Sequence, residues 1–300
     1  MLGIFVDVLV PVFLVVGIGF ALARAVGAKP RTLTALSYWV LGPAFVFNIL
    51  SNADLEAGEV AKVVGASALT MAVVGAAAAG AGAVMGAGRS LASASILTSV
   101  YGNVGNFGLA ISAFALGEEA LPTAGVVMVT INTLGVLTGV GLAASRDQHW
   151  ARAALRAMLT PLALAVAPAL AVNMTNTTLP LWLDRPVSLI AAAMIPVMLL
   201  TLGVQLAGME RVLPTAAAAA PIALKLVVAP VVALGATTLL GLTGASGHVV
   251  IIQAAMPAAI FTSLVALEHD LAPDYVTSVV LAGTLASAIT VPVVIGLLPG

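Results

Sequence analysis

Ten apolar stretches follow one another along the chain, at roughly 4–23, 32–50, 60–86, 91–117, 121–145, 155–173, 186–207, 214–242, 249–267 and 275–298. Each is long enough, as a helix, to cross about 30 Å of hydrocarbon, which takes about 20 residues. Runs of this kind also occur as buried core helices. Ten of them leave too little polar sequence to cover a core, since 61% of the residues are hydrophobic and 8% charged. The chain therefore reads as an all-α integral membrane protein embedded in the lipid bilayer. The first stretch has no basic n-region and carries Asp7 instead, so it is expected to remain as a span and not to be removed as a signal peptide.

What the chain lacks narrows the function classes. A formal net charge of −1 and three histidines give no basic face for nucleic acid and no cluster with metal-ligand spacing. The absence of cysteine excludes thiolate metal sites and iron–sulfur clusters. There is no HExxH, no GxSxG and no pair of carboxylates within a span, so neither an intramembrane enzyme nor a cofactor is expected. The basic residues between spans sort strongly by side. Arg24, Lys29, Arg31, Arg89, Arg146, Arg152, Arg156 and Arg211 fall on one side, and only Lys62 and Arg185 on the other. The positive-inside rule makes the first side cytoplasmic and puts both termini outside.

The fourth stretch contains SVYGNVGNFGLAI, Ser99 to Ile111, within a run from Leu91 to Gly117 that has no charged residue. Three glycines and two asparagines interrupt it where a spanning helix is normally most uniform. The halves of the chain echo each other at an offset of about 151: ALGEEALPTAGVVMVTINT from Ala115 parallels ALEHDLAPDYVTSVVLAGT from Ala266. Five spans per half is odd, so the second half inserts upside down relative to the first, the inverted repeat of secondary transporters. The expected organisation is a first repeat over 1–145, a cytoplasmic connector over 146–156 and a second repeat over 157–300. The same offset carries Gly102–Gly108 onto QAAMPAA, Gln253 to Ala259, so Asn106 meets Pro257 and both fourth spans are interrupted. Interruption frees backbone N–H and C=O groups, which lipid cannot satisfy, so it persists only where protein buries it or it lines a cavity. Glycines also serve close helix packing, and Gly82/Gly86 and Gly135/Gly139 are candidates for that plainer role.

PVFLVVGIGFAL from Pro11, GNVGNFGLAI from Gly102, LGVQLA from Leu202, KLVVAPVVAL from Lys225 and QAAMPAAIFTSLVALEHDL from Gln253 together resemble the auxin efflux carrier family across the whole chain. The resemblance implies ten helices in two inverted five-helix repeats, with crossed, interrupted helices 4 and 9, as in bile-acid symporters and sodium–proton antiporters. It implies a scaffold of helices 1, 2, 6 and 7, often paired as a homodimer, and a mobile unit made of the rest. It also implies residence in a bacterial inner membrane. Two positions depart from the family pattern: Ala110 stands where proline is usual, and Phe261 where asparagine is often found. Those departures leave the architecture intact and the substrate open.

No Asp or Glu lies near the middle of any span, which argues against exchange of cations through buried carboxylates. Lys225 is the basic exception. It lies about eleven residues into its span, roughly 17 Å deep at 1.5 Å per residue. Two roles fit it: tying an interrupted helix to its neighbour, or attracting an anionic substrate. In a crossed pair, the second halves would begin near Gly108 and Pro257 and present partial positive charge and free N–H groups. The candidate substrate-binding residues are therefore Asn103, Asn106, Gly105, Gly108, Pro257, Gln253 and Lys225, with Gln205, Asn48 and Thr262 as second-choice contributors. The residues point to a secondary active or potential-driven carrier of small organic anions, and the resemblance implies efflux, elevator-type movement and substrates such as auxin-like compounds or dicarboxylates. The alternative is a sodium-coupled symporter that holds the ion with Asn, Gln, Thr and backbone oxygens. The orientation is testable in this cysteine-free chain: an impermeant thiol reagent added outside is expected to label Thr177→Cys and to spare Gln148→Cys, and the reverse pattern overturns it.

Overall fold

The computed structural model describes residues 2–53, 56–143, 155, 158–209 and 215–298. Apart from Leu155, the connector expected over 146–156 lies outside those residues, as does Arg211. The described residues are almost wholly helical. The elements are α1 (Phe5–Val26), α2 (Pro30–Ser51), α3 (Ala57–Val84), α4 (Arg89–Val100), α5 (Val104–Leu116) and α6 (Leu121–Ala143). They continue with α7 (Pro161–Met174), α8 (Leu181–Gly208), α9 (Ala216–Leu239), α10 (Gly244–Ala254), α11 (Phe261–Glu268) and α12 (Pro273–Leu297). Seven of the described helical stretches are long and apolar enough to cross a membrane unbroken. The expected fourth and ninth spans are each divided, into α4 and α5 and into α10 and α11.

Proline explains several local departures from α-geometry. Wide, π-type turns at Phe5–Leu9, Ser37–Leu41 and Leu224–Val228 each lie just before a proline, respectively Pro11, Pro43 and Pro230. A proline ring crowds the carbonyl one turn back and supplies no N–H, so the preceding turn widens. Helix stops follow equally local rules: Gly27 takes a left-handed conformation (φ 67°) directly after α1, and Gly117 (φ 93°) directly after α5.

Packing follows two groups of helices. The most extensive helix contact joins α1 to α8, and α2 packs on α7 and α8. Separately, α3 lies against α4, α6 and α9, α10 contacts α9 and α6, and α12 covers α4 and α11. The α1–α8 crossing depends on two glycines. A Cβ on Gly19 would lie 2.2 Å from the Leu200 carbonyl oxygen, and one on Gly203 would lie 2.0 Å from that of Val16. The backbones touch there, the small-residue contact by which helices associate without a hydrophobic driving force. Of the glycines considered for this role, Gly82 and Gly139 leave ordinary contacts to Ala92 and Val265. Gly86 instead makes the turn after α3 with φ 62°. Gly203→Ala is expected to destabilise the protein by about 1–3 kcal/mol through overpacking. The check is thermal melting in detergent beside Gly235→Ala, whose added Cβ meets nothing within 4 Å and should leave the melt unchanged.

Candidate functional site

The two interruptions meet. After α4 the chain turns extended at Tyr101 (φ −92°, ψ 92°), and Gly102 pairs antiparallel with Ala258 in the break after α10. The Asn103 N–H donates to the Pro257 carbonyl at 2.7 Å, and the Ala259 N–H donates to the Tyr101 carbonyl at 2.9 Å. Each break thus supplies the backbone partners that the other lost, as burial away from water demands. Pro257 fits this arrangement because it brings an acceptor and has no donor to leave over.

The second halves restart at Val104, after Asn103, and at Phe261, after Ile260, instead of near Gly108 and Pro257. Gly105 and Gly108 lie inside the first, π-type turn of α5 and not at its break. They keep space there: a Cβ on Gly105 would come within 2.9 Å of the Met198 side chain, and one on Gly108 within 2.0 Å of Gln253 Oε1. The first N–H groups of a helix have no partner within its own turns, and at α11 those of Thr262 and Ser263 donate to the Ala259 and Ile260 carbonyls, each at 2.9 Å.

A cavity of about 240 Å³ opens beside this crossing. Tyr101, Asn103, Gly105 and Asn106 line it from the crossing, Asn132 from α6, and Gln205, Met194 and Met198 from α8. Its polar groups are amides and hydroxyls, and among the described residues no ionisable acid or base other than tyrosine lines it. Asn103 is buried and its Nδ2 has no protein hydrogen-bond partner. Asn106 Nδ2 donates to Gln205 Oε1 at 3.3 Å, and Gln205 Nε2 donates to Thr34 Oγ1 at 3.1 Å. That chain of amides links the crossing to α8 and α2. The Tyr101 hydroxyl donates to Asn132 Oδ1, and its ring stands 5.6 Å from that of Phe261, centroid to centroid.

Lys225 lies elsewhere. It sits in the π-type turn of α9, is buried to 5% exposure and donates from Nζ to the Ala254 carbonyl, the last of α10, at 3.0 Å. The ammonium therefore meets a helix C-terminus, where partial negative charge accumulates. A Cβ on Gly102 would lie 2.9 Å from that nitrogen, so glycine is what lets the ammonium close on the crossing. With Gln253, Ser67 and Ser99 it lines a separate cavity of about 20 Å³. Gln253 Nε2 donates to Ser112 Oγ at 3.2 Å, tying α10 to α5.

Two comparisons bear on this geometry. Residues 149–295 match the family described as "Membrane transport protein". "Auxin efflux carrier component 6" of Arabidopsis thaliana is 26% identical over 175 residues, 58% of this chain and 28% of that relative. The chain is thus similar, over that stretch, to a protein named for auxin efflux. It spans little more than a quarter of the curated relative's length.

Among the residues singled out from the sequence, Asn103, Gly105, Asn106 and Gln205 share the larger cavity. Lys225 and Gln253 share the smaller one, Gly108 packs on Gln253, and Pro257 holds the crossing. Asn48 bonds Ser188 between α2 and α8, away from both cavities, and the Thr262 hydroxyl returns to the Ala259 carbonyl. Sequence reasoning missed Tyr101, Asn132 and Thr34. Asn132, an amide inside an uncharged span, was the available signal. Gly135 makes room for the Tyr101 ring, which an added Cβ would overlap at 1.8 Å. Gly135→Ala is expected to displace that ring, break its bond to Asn132 and lower the melting temperature. Gly139→Ala, one turn on and 3.8 Å from its nearest neighbour, should not; equal melting of the two variants would contradict the placement of Tyr101.

Proposed function

We propose that this protein is a secondary carrier that exports small organic anions across a bacterial inner membrane, with both termini outside. The observation that carries the reading is the hydrogen-bonded pair of interrupted helices, whose restarted halves abut an amide-lined cavity of about 240 Å³. Helix N-termini and uncharged amides bind a carboxylate without a formal counter-charge at contact distance. The unpartnered Asn103 Nδ2 is a donor of that kind. The apolar remainder of the lining, including Met128, Met194, Met198 and Phe261, suits the body of an organic acid. The family match and the relative named for auxin efflux support transport and its outward direction.

In this reading the two halves form inverted five-helix repeats. The group α1, α2, α7 and α8 is the scaffold, paired as a homodimer, and the remaining helices move as one elevator-type unit. Asn106, Gln205 and Thr34 then form a polar contact between the unit and its scaffold that must break and re-form in each cycle. An anion leaving a negative-inside cell gains about 2.3 kcal/mol per charge per 100 mV, so efflux needs no coupling ion.

The deciding experiment is uptake of a labelled carboxylate panel into proteoliposomes under imposed potential, sodium and proton gradients in turn. Saturable, sodium-independent transport driven by potential is expected. Dependence on sodium would establish the symporter alternative, and unsaturable conductance a channel. Asn103→Ala and Asn106→Ala should each weaken recognition by about 1–3 kcal/mol, the cost of leaving a buried partner unsatisfied. Pro257→Leu should reduce transport while the protein still reaches the membrane. Unchanged apparent affinity and turnover in all three variants would remove the crossing from the binding site.

A further inference from the structure

Lys225 brings a full positive charge to a part of the molecule that has no acid to balance it. No Asp or Glu occurs anywhere in α4, α5, α6, α9 or α10. In α3, α11 and α12 the acids stand at helix ends: Glu59 in the first turn of α3, Glu268 as the last residue of α11 and Asp274 in the first turn of α12. The residues lining the small cavity around the ammonium include none. Its bonded partner is a backbone carbonyl, that of Ala254, and Gly102, two residues after α4, lies close to the ammonium. Partial charge at the C-terminus of α10 holds the ammonium in position and is balanced by the opposite partial charge at the helix's own N-terminus. Glu59, Lys62, Arg89, Glu118, Glu119, Glu268, Asp270 and Asp274 stand near the ends of helices or in the links between them, so Lys225 leaves one formal positive charge in the middle of the unit.

Lys225 does not line the larger cavity, but Gly102 and Val104 line both that cavity and the small one around the ammonium. A ligand in the larger cavity therefore feels the field of Lys225 without touching it. We infer that Lys225 is a fixed counter-charge that travels with the binding site, so that the middle of the unit, the part that passes through the field, is neutral when it holds a monoanion and carries one positive charge when empty. The inference rests on the carrier reading above. Under a negative-inside potential the loaded step is then insensitive to voltage. The empty unit is drawn back toward the cytoplasm, where it can load again. A single charge crossing the whole of a 100 mV field shifts a two-state distribution by about 50-fold, and partial passage shifts it less. The potential thus acts on the return of the empty carrier and not on passage of the substrate.

The charge can be observed without knowing the substrate. The purified protein, reconstituted in a planar bilayer, is stepped in voltage with no organic anion present, and the transient charge movement is integrated. The wild type is expected to move up to one positive charge per carrier. Lys225→Met, which keeps the stem and loses the ammonium, is expected to move none. Indole-3-acetate, a monocarboxylate, should suppress the wild-type transient as it saturates the carrier. Melting curves show whether Lys225→Met is folded. If it is not, the wild-type trace decides alone: substrate-free charge movement supports the inference and its absence overturns it. Equal transients in a folded Lys225→Met variant also overturn it. Failure of the carrier reading looks different, because the carboxylate panel then gives no saturable uptake at all. Saturable uptake without a substrate-free transient sinks the counter-charge and leaves the carrier standing.

Discussion

Hydrocarbon offers no hydrogen bonds, so any helix that breaks inside a membrane must find partners for its freed backbone within the protein. Here the partners are another break. The N–H of Asn103 and the carbonyl of Tyr101 meet the carbonyl of Pro257 and the N–H of Ala259 in one short antiparallel pairing. Neither interruption is tenable without the other, and everything around them follows from that mutual need. The glycines keep space for close neighbours, the lysine answers the carbonyl end of α10, and the cavity opens beside the starts of the restarted helices.

The crossing borders two cavities of different electrostatic character. Around one lie amides, hydroxyls and aromatic rings, with Asn106 linked through Gln205 to Thr34. At the other, Lys225 is packed among serines, Gln253 and apolar side chains in a space only large enough for about one water molecule. Helix polarity explains the division. Carbonyl ends accumulate partial negative charge and gather the cation, whereas amide ends accumulate partial positive charge and face the open volume.

Much of this was legible in the sequence because it depends on local chemistry. Apolar length located the helical stretches, and Gly102, Asn103 and Pro257 marked both interruptions. The restart points were misjudged by several residues because Gly105 and Gly108 read as helix breakers. Inside α5 they are instead small residues that admit Met198 and Gln253. That distinction depends on what lies opposite, which no local pattern contains. The same limit hid Gly19 and Gly203, whose backbone contact joins residues 184 positions apart in sequence numbering, 203 less 19. It also concealed that Lys225 and Asn106 line different cavities, although both lie deep in uncharged spans.

The wide turn at Leu224–Val228 amounts to one residue inserted into an otherwise regular helix. Along a regular helix, one residue corresponds to a rotation of about 100°. The insertion therefore lets α9 present two faces that a continuous helix would hold in fixed register: its later part packs on α3 while Lys225 points to the end of α10. The direction of the charge is thus encoded in a count of residues as well as in a side chain. A chain shortened by one residue between Leu224 and Val228 would keep its lysine and its hydropathy, yet it would turn the ammonium away from the carbonyl it serves.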